Sequence, residues 1–506
     1  MITSRTRVLR AIATVGIVAA LPALAAATTA AAPAGPGSLG PIAVSGATPF
    51  TADCSRPNPP VPPSLGTEVE PYVAVNPQNP RNLVSVYQQD RFVNDGANGV
   101  LASVSANGGK TWQVPPLTQQ PTFSACAGGT AAYGGDFEKT TDPWSDFSPT
   151  GRAYFASVSY NDSDWDTAEF VATSENGGRT WSRPATIVRE NIPGVIDDRG
   201  AVTADRTLPA NAYLVYARAI VSPASAATGA AYYSRTTDGG RTWSPARAIY
   251  QAPLGMETSA NQIVELPSGE LIDVFNLTPM ESDFGSGQPR HDAVMAVRST
   301  DHGVTWSAAT TILTNEISGV VDPGTGKPVR VGDNFTHIAV DPRPGTSNVY
   351  AVWGDSRFTG GTTEQIAFAA STDGGRSWSR PALVSASASS AFAPAVAVNA
   401  AGQVGVAYYE IAPGATASTP LATSYRFAVS DDRGASWTGR RDLTSRPFDL
   451  RGAPYDGGYF LGEYEGFTAA GAAFVATATF VNDGDTANPT DVFAVSVTPP
   501  APTAAH

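Results

Sequence analysis

The sequence predicts an all-β protein assembled from a repeated four-stranded unit, and two observations carry that prediction. The pattern Ser/Thr-x-Asp/Asn-x-Gly-x-Thr/Ser-Trp occurs six times, ending at Trp112, Trp181, Trp243, Trp306, Trp378 and Trp437, with successive copies starting 69, 62, 63, 72 and 59 residues apart. Recurrence at a near-constant interval marks a repeated supersecondary unit. Each copy also follows a run that alternates or is richly apolar (VLASVS, AEFVATS, AAYYSRT, AVMAVRS, IAFAAS, YRFAVS). Such runs read as strands, and the Asp-Gly or Asn-Gly step behind them is a strong hairpin signal.

Within each turn the Asp or Asn side chain can bond nearby backbone N–H groups while Gly takes the positive φ. The Trp that closes the motif is a large apolar wedge suited to packing between neighbouring sheets. Upstream of each copy lie two more strand-like runs. The first unit reads YVAVNP, LVSVYQQ, VLASVS, TWQV; the fifth HIAVDP, VYAVWGD, IAFAAS, SWSR; the sixth PAVAVN, VGVAYYE, YRFAVS, SWTG. Behind the sixth come three strands without the motif, GYFLGEYEGF, AAFVATATFV and DVFAVSV, and PIAVSG (Pro41 to Gly46) is available as their fourth.

The pattern is identified as the Asp-box, or BNR repeat, and the chain resembles the sialidase superfamily of β-propellers. That resemblance implies a β-propeller in which each box joins the third and fourth strands of a blade on the outer rim. Asp238, Asp301, Asp373 and Asp432 are then structural. The strand count favours seven blades, with the ring closed by the N-terminal strand and no free sheet edge left; six blades, the familiar sialidase number, is the alternative. The propeller is expected over residues 63–498, with a flexible tail at 499–506.

Arg5, Arg7 and Arg10, the apolar stretch from Ala11 to Ala20 and the Ala-Leu-Ala at 23–25 form a secretory signal pattern over residues 1–25, cleaved between about 25 and 32. An Ala/Pro/Gly-rich leader follows over 26–62. The formal charge is −13, and loss of the three signal arginines takes it to −16. An acidic exported chain argues against nucleic acid and anionic membranes as partners. The resemblance implies a carbohydrate or glycoconjugate substrate and a monomer. In that setting the only two cysteines, Cys54 and Cys126, are expected to form a disulfide pinning the leader to the loop between the first two units. No zinc pattern exists and no cofactor is expected; Asn482-Asp483-Gly484-Asp485 suits a solvated turn better than Ca²⁺.

Propellers bind ligands where the loops leading into first strands meet those between second and third strands. Charged residues gather there: Glu70, Asp90, Arg91 and Asp95 in the first unit, Asp142 in the second, Asp197, Asp198 and Arg199 in the third. Glu257 and Asp333 precede the fourth and fifth first strands, Asp355 and Arg357 close a strand of the fifth, Tyr409 and Glu410 one of the sixth, and Glu463, Tyr464 and Glu465 enter the seventh. A retaining sialidase needs arginines for the sugar carboxylate, a Tyr–Glu nucleophile and an Asp acid/base. The resemblance implies Tyr464 as nucleophile, with Glu463 or Glu410 beside it, and Asp95 as acid/base. Glu70, Asp90, Arg91, Asp142, Arg199, Asp355 and Arg357 are the substrate-binding candidates, with Arg91, Arg199 and Arg357 as the arginine cluster.

The chain departs from the family at three places. Val69-Glu70-Pro71 stands where the family has Arg-Ile-Pro, the family's catalytic Glu falls on Ala260 with Glu257 nearby, and an expected arginine falls on Asn276. A closer resemblance, from about Glu70 to Val497, is to secreted bacterial proteins labelled exo-α-sialidase or BNR-repeat, through EPYVAVNP, QQDR, DPW, WGDSR, YYE and GYFLGEYEG. It implies a secreted glycoside hydrolase, an exo-α-sialidase (neuraminidase) by name. A non-catalytic glycan-binding propeller, with Trp144, Trp353 and Phe358 stacking on sugar rings, and a polysaccharide lyase are the alternatives.

Overall fold

In the computed structural model the described residues are 40–502, apart from 56–60, 223–224, 281–289, 333–334 and 386–388. The expected signal segment, most of the leader and Asp333 lie outside them. Nearly all regular structure is antiparallel sheet, and the helices among the described residues are four single 3-10 turns.

The strands follow one another as antiparallel meanders. The first holds Glu68–Val75, Leu83–Arg91 and Ala97–Ser105, with Gln113 bridging Val104 at the fourth position. The second holds Lys139–Phe147, Ala153–Tyr160, Asp166–Ser174 and Ala185–Asn191, and the third Val195–Ala204, Ala212–Ser222, Ser225–Thr236 and Arg247–Gln251. Met256–Glu265, Leu271–Pro279, Arg290–Ser299 and Thr310–Ile317 form the fourth; His337–Val340, Val349–Asp355, Gln365–Ser371 and Ala382–Leu383 the fifth. The sixth holds Ala391–Val398, Val404–Ile411, Ala422–Ser430 and Thr438–Asp442. Gly466–Ala470, Ala473–Val481 and Thr490–Val497 complete the set, and their fourth strand is Ile42–Ala43, which pairs Ile42 with Ala494 and Ala43 with Phe493. First strands from all these meanders line one axial cavity of about 670 Å³, with Val73, Ser145, Val202, Val264, Val340, Val398 and Ala469 on its wall.

The recurring turn is held by its acid. The Asp238 Oδ1 accepts the Thr242 N–H (3.0 Å), Oδ2 accepts the Thr242 hydroxyl (2.6 Å), and the Thr236 hydroxyl accepts the Gly240 N–H (2.9 Å). The two bonds from Thr242, the hydroxyl's first, pull the Asp238 carboxyl down to about 2. The turn needs two left-handed residues in a row, Gly239 and Gly240 (φ 79° and 85°). Where the first glycine is missing, His302 and Arg433 occupy the left-handed region themselves (φ 55° and 60°). The closing Trp reaches the preceding meander: Trp306 lies edge-on to Tyr233 (5.2 Å) and Trp437 to Phe368 (5.0 Å).

The Cys54–Cys126 disulfide is present. Trp353 is fully buried with its indole N–H on Asp355, which removes it from the sugar-stacking role of the alternative reading, whereas Trp144, 6% exposed, lines the cavity. Asp485 accepts the backbone N–H groups of Ala487 and Asn488 within its turn, and Asp483 accepts that of Asp449 from a distant segment.

Candidate active site

Five first strands carry the same irregularity at the same place. Their pairing slips between Val69 and Tyr72, Thr141 and Trp144, Ser259 and Gln262, Phe392 and Ala395, and opposite Val215 and Ala217 in the third meander. In each bulge one non-glycine residue adopts a left-handed backbone: Glu70 (φ 52°), Asp142 (53°), Arg199 (56°), Ala260 (55°) and Ala393 (45°). Left-handed backbone costs a side-chain-bearing residue about 1–2 kcal/mol. Bulges serve to re-aim a side chain next to functional sites. The three charged bulge residues belong to consecutive meanders, and all three join one buried ionic network.

Arg91 is its deepest member, 1% exposed, donating to Gln88 (2.6 Å), Asp95 (2.8 Å) and Asp456 (2.7 Å). Arg330 donates to Asp456 (2.5 Å) and Glu463 (2.8 Å), and Arg199 pairs with Glu463 and donates to Ser259 (3.0 Å). The rings of the network close on Glu70, which accepts from the Gln88 amide and from the Glu463 N–H (3.1 Å). Phe460 lies under two of the guanidinium groups, 4.2 Å from Arg91 and 4.8 Å from Arg330. Removing one partner from such a buried pair costs about 3–5 kcal/mol, so this arrangement holds its members in place.

The carboxyls of the network differ in protonation. Burial raises Asp95, but Arg91 and Arg330 outweigh it and hold Asp95 well below the usual carboxylate range. Burial, then the charge of Asp142, pushes Glu70 up to about 8. Burial, then the charge of Asp198, pushes Asp142 up to about 8, and burial raises Asp198 as well, opposed by the charge of Arg199. Behind the pair, Glu169 is buried without a hydrogen bond to any described residue, and burial, then Asp197, pushes it well above the carboxylate range. The site can therefore offer a protonated carboxyl and an ionised one side by side, the combination general acid–base chemistry uses.

Tyr464 adjoins the network but faces a different environment. Its hydroxyl donates to the Pro143 carbonyl (3.1 Å), and its ring packs with Trp144 (5.4 Å), Phe335 (5.5 Å) and Tyr72 (6.4 Å). Burial, then Glu70, pushes its hydroxyl well up. Two of these rings, Tyr72 and Trp144, also line the cavity shared by the first strands.

The structure thus gathers Glu70, Arg91, Asp95, Asp142, Asp198, Arg199 and Glu463. Other candidates have separate partners. Asp90 accepts from Thr48 (2.5 Å) and the Gly66 N–H (2.8 Å). Arg357 pairs with Asp355 (2.7 Å), Glu410 with Arg426 (2.9 Å), Asp197 with Arg218 (2.7 Å), and Tyr409 donates to Glu465 (2.8 Å). Asp355 and Arg357 bond instead to Trp353, Glu316 and Thr314. Burial raises Glu257 to about 7. Arg330 and Asp456 escaped the sequence reading. Arg330 ends a strand of a small three-stranded sheet in which Pro328–Arg330 pairs with Val320–Val321 and, in parallel, with Tyr459–Phe460, and Asp456 lies in the loop just before Tyr459.

No protein-family model matches the chain, and no curated protein matches it. Among solved structures it is similar to a protein of unknown function from Dyadobacter fermentans (11% identity, TM-score 0.46, covering 92% of this chain and 99% of that one). It is also similar to an alpha-L-arabinanase of Penicillium chrysogenum complexed with arabinobiose (12%, 0.46, 91% and 98%). A Trypanosoma rangeli sialidase in complex with the inhibitor DANA is a third (14%, 0.41, 70% and 54%).

Proposed function

We propose that the chain is an exported glycoside hydrolase, acting on a terminal sugar of a glycan from a site at one end of a seven-bladed propeller. Seven blades are supported by the first strands that share one axial cavity, and closure of the ring by the pairing of Ile42–Ala43 with Thr490–Val497. The observation that carries the chemistry is the clustering of Asp142, Asp198 and Asp95, in which burial raises the first two carboxyls while Arg91 and Arg330 hold Asp95 low. Asp142 keeps a proton at neutral pH for the departing glycosidic oxygen, and Asp95 or Asp198 supplies the negative charge that stabilises the sugar cation or activates water.

The sialidase-type assignment, with Tyr464 as nucleophile assisted by Glu463, has less support. The Tyr464 hydroxyl is spent on a backbone carbonyl, and the Glu463 carboxylate is held by two guanidinium groups. Hydrolysis of a panel of 4-methylumbelliferyl glycosides, α-sialoside included, tests the reading. Asp142→Asn and Asp198→Asn are expected to lose turnover while Tyr464→Phe retains it; the opposite pattern restores the tyrosine mechanism. A glycan-binding propeller without turnover is the second reading, favoured by the near-complete burial of Glu70, Arg91 and Asp142. Glycan binding without product release would establish it.

A further inference from the structure

We propose that the sugar taken by this site carries no carboxylate, so that the substrate is a neutral glycan. The inference rests on the glycosidase reading and deepens it. Arginine forks are the usual receptors for a sugar carboxylate, and the site owns three, each already committed to the protein's own acids.

Arg91 is sealed from solvent between Gln88, Asp95 and Asp456. Arg199 is 6% exposed, with one amino group on Glu463 and the other on Ser259. Arg330 alone keeps appreciable surface, at 16%, and its remaining amino group stands 4.0 Å from Asp95. An incoming carboxylate would have to displace Asp95, Asp456 or Glu463, leaving a buried anion without its cation.

The approach is anionic as well. A small cavity beside the network is lined by Asn94, Asp95, Asp162, Asp197 and Asp198, and no lysine or arginine is among its lining residues. Lys139 and Arg218 offset Asp162 and Asp197 from behind. Asp95, paired with Arg91 at 2.8 Å, and Asp198, 3.9 Å from Arg199, keep 17% and 23% exposure. Carboxylates with open lone pairs accept hydrogen bonds from sugar hydroxyls and repel a second carboxylate.

The test pairs turnover with binding. The mature protein is assayed on aryl glycosides of neutral pyranoses and furanoses and on the α-sialoside and β-glucuronide. Saturation-transfer NMR compares the neutral free sugars with N-acetylneuraminic and glucuronic acids. Neutral glycosides are expected to exceed acidic ones by at least about 100-fold in kcat/KM, the scale of a like-charge contact at a buried site. The gap should narrow as added salt screens the approach. Comparable turnover of the sialoside overturns the proposal. If nothing is hydrolysed, the glycosidase reading fails separately: saturation transfer to neutral sugars alone still upholds the neutral class, whereas transfer to the acids, or to neither, overturns it.

Discussion

Arg330 donates to Asp456 at 2.5 Å across a parallel pair of two- and three-residue strands that join loops 126 residues apart in sequence. Neither loop has a meander of its own to rest on, so this ion pair, with the Arg330–Glu463 contact at 2.8 Å, ties the lead-in to the fifth meander to the lead-in to the last. Arg330→Ala leaves buried Asp456 with Arg91 alone and buried Glu463 with Arg199 alone. The expected loss is about 1.5–3 kcal/mol of unfolding free energy, the scale of a hydrogen bond to a charged group, read from urea titration. Arg330→Lys should recover only part, because an ammonium cannot fork to two carboxylates in fixed geometry. A loss under about 1 kcal/mol would show that the loops hold without the pair.

Protonation of Glu70 sets a second expectation. Its ordinary value is 4.5 and the folded site raises it to about 8, so between those limits the folded chain binds a proton that the unfolded chain has released. The stabilisation is present in full below about pH 4.5 and is lost as pH rises through about 8. Asp95 has the opposite sign: held low by Arg91 and Arg330, it contributes above its unfolded value near 3.8 and loses that contribution on acidification. Stability attributable to the site should therefore peak on the mildly acidic side. Glu70→Gln, which mimics the protonated acid, is expected to flatten the fall in urea midpoint between pH 5 and pH 8; an unchanged slope would assign the proton elsewhere.

How much of this was legible in the sequence depends on the range over which each contact is encoded. The meanders were legible because box, turn and strand are local, and Glu70, Asp142 and Arg199 because each sits where a first strand begins. The bulges have a local trace too, since Pro71, Pro143 and Pro394 follow three of the five left-handed residues. Arg330 and Asp456 were not legible: their pairing depends on parallel contact between distant loops, which no periodicity reports. Trp353 and Arg357 misled for the converse reason, because a strand end rich in polar residues looks like a rim whether it points to ligand or, as here, to Asp355.

The rim turns and the site should be energetically separate. Asp301→Ala removes acceptors for the Thr305 N–H (2.9 Å) and hydroxyl (2.6 Å) from an exposed turn. A loss of about 1–2 kcal/mol is expected, the scale of a capping acid, with ligand affinity unchanged. A variant that folds to wild-type stability, or that loses ligand affinity without losing stability, would contradict a purely structural role.

Cys54 and Cys126 close a loop of 72 residues. Loop entropy of that length corresponds to about 4 kcal/mol withdrawn from the unfolded chain. The double variant Cys54→Ser/Cys126→Ser is expected to unfold at lower urea by a comparable free energy, and dithiothreitol should weaken the parent protein to the same level while leaving the variant unaffected. If reduction leaves the parent's midpoint in place, the bridge contributes nothing to the fold.

The strand Ile42–Ala43 carries the last expectation, because it is short yet is the edge partner of Thr490–Val497, at Ala494 and Phe493. Behind it Val44 donates to the Val492 carbonyl (2.8 Å) and is buried with Phe50, Tyr87 and Leu101. A chain beginning at residue 46 would lose that burial, worth about 1.5–3 kcal/mol for one valine. It would also leave Thr490–Val497 as an open edge, a template for pairing with another copy. Compared with a chain beginning at residue 40, it is expected to unfold at lower urea and to associate in light scattering, with the disulfide intact in both. Equal midpoints and equal monodispersity would mean that the edge of Thr490–Val497 is protected by something other than the N-terminal strand.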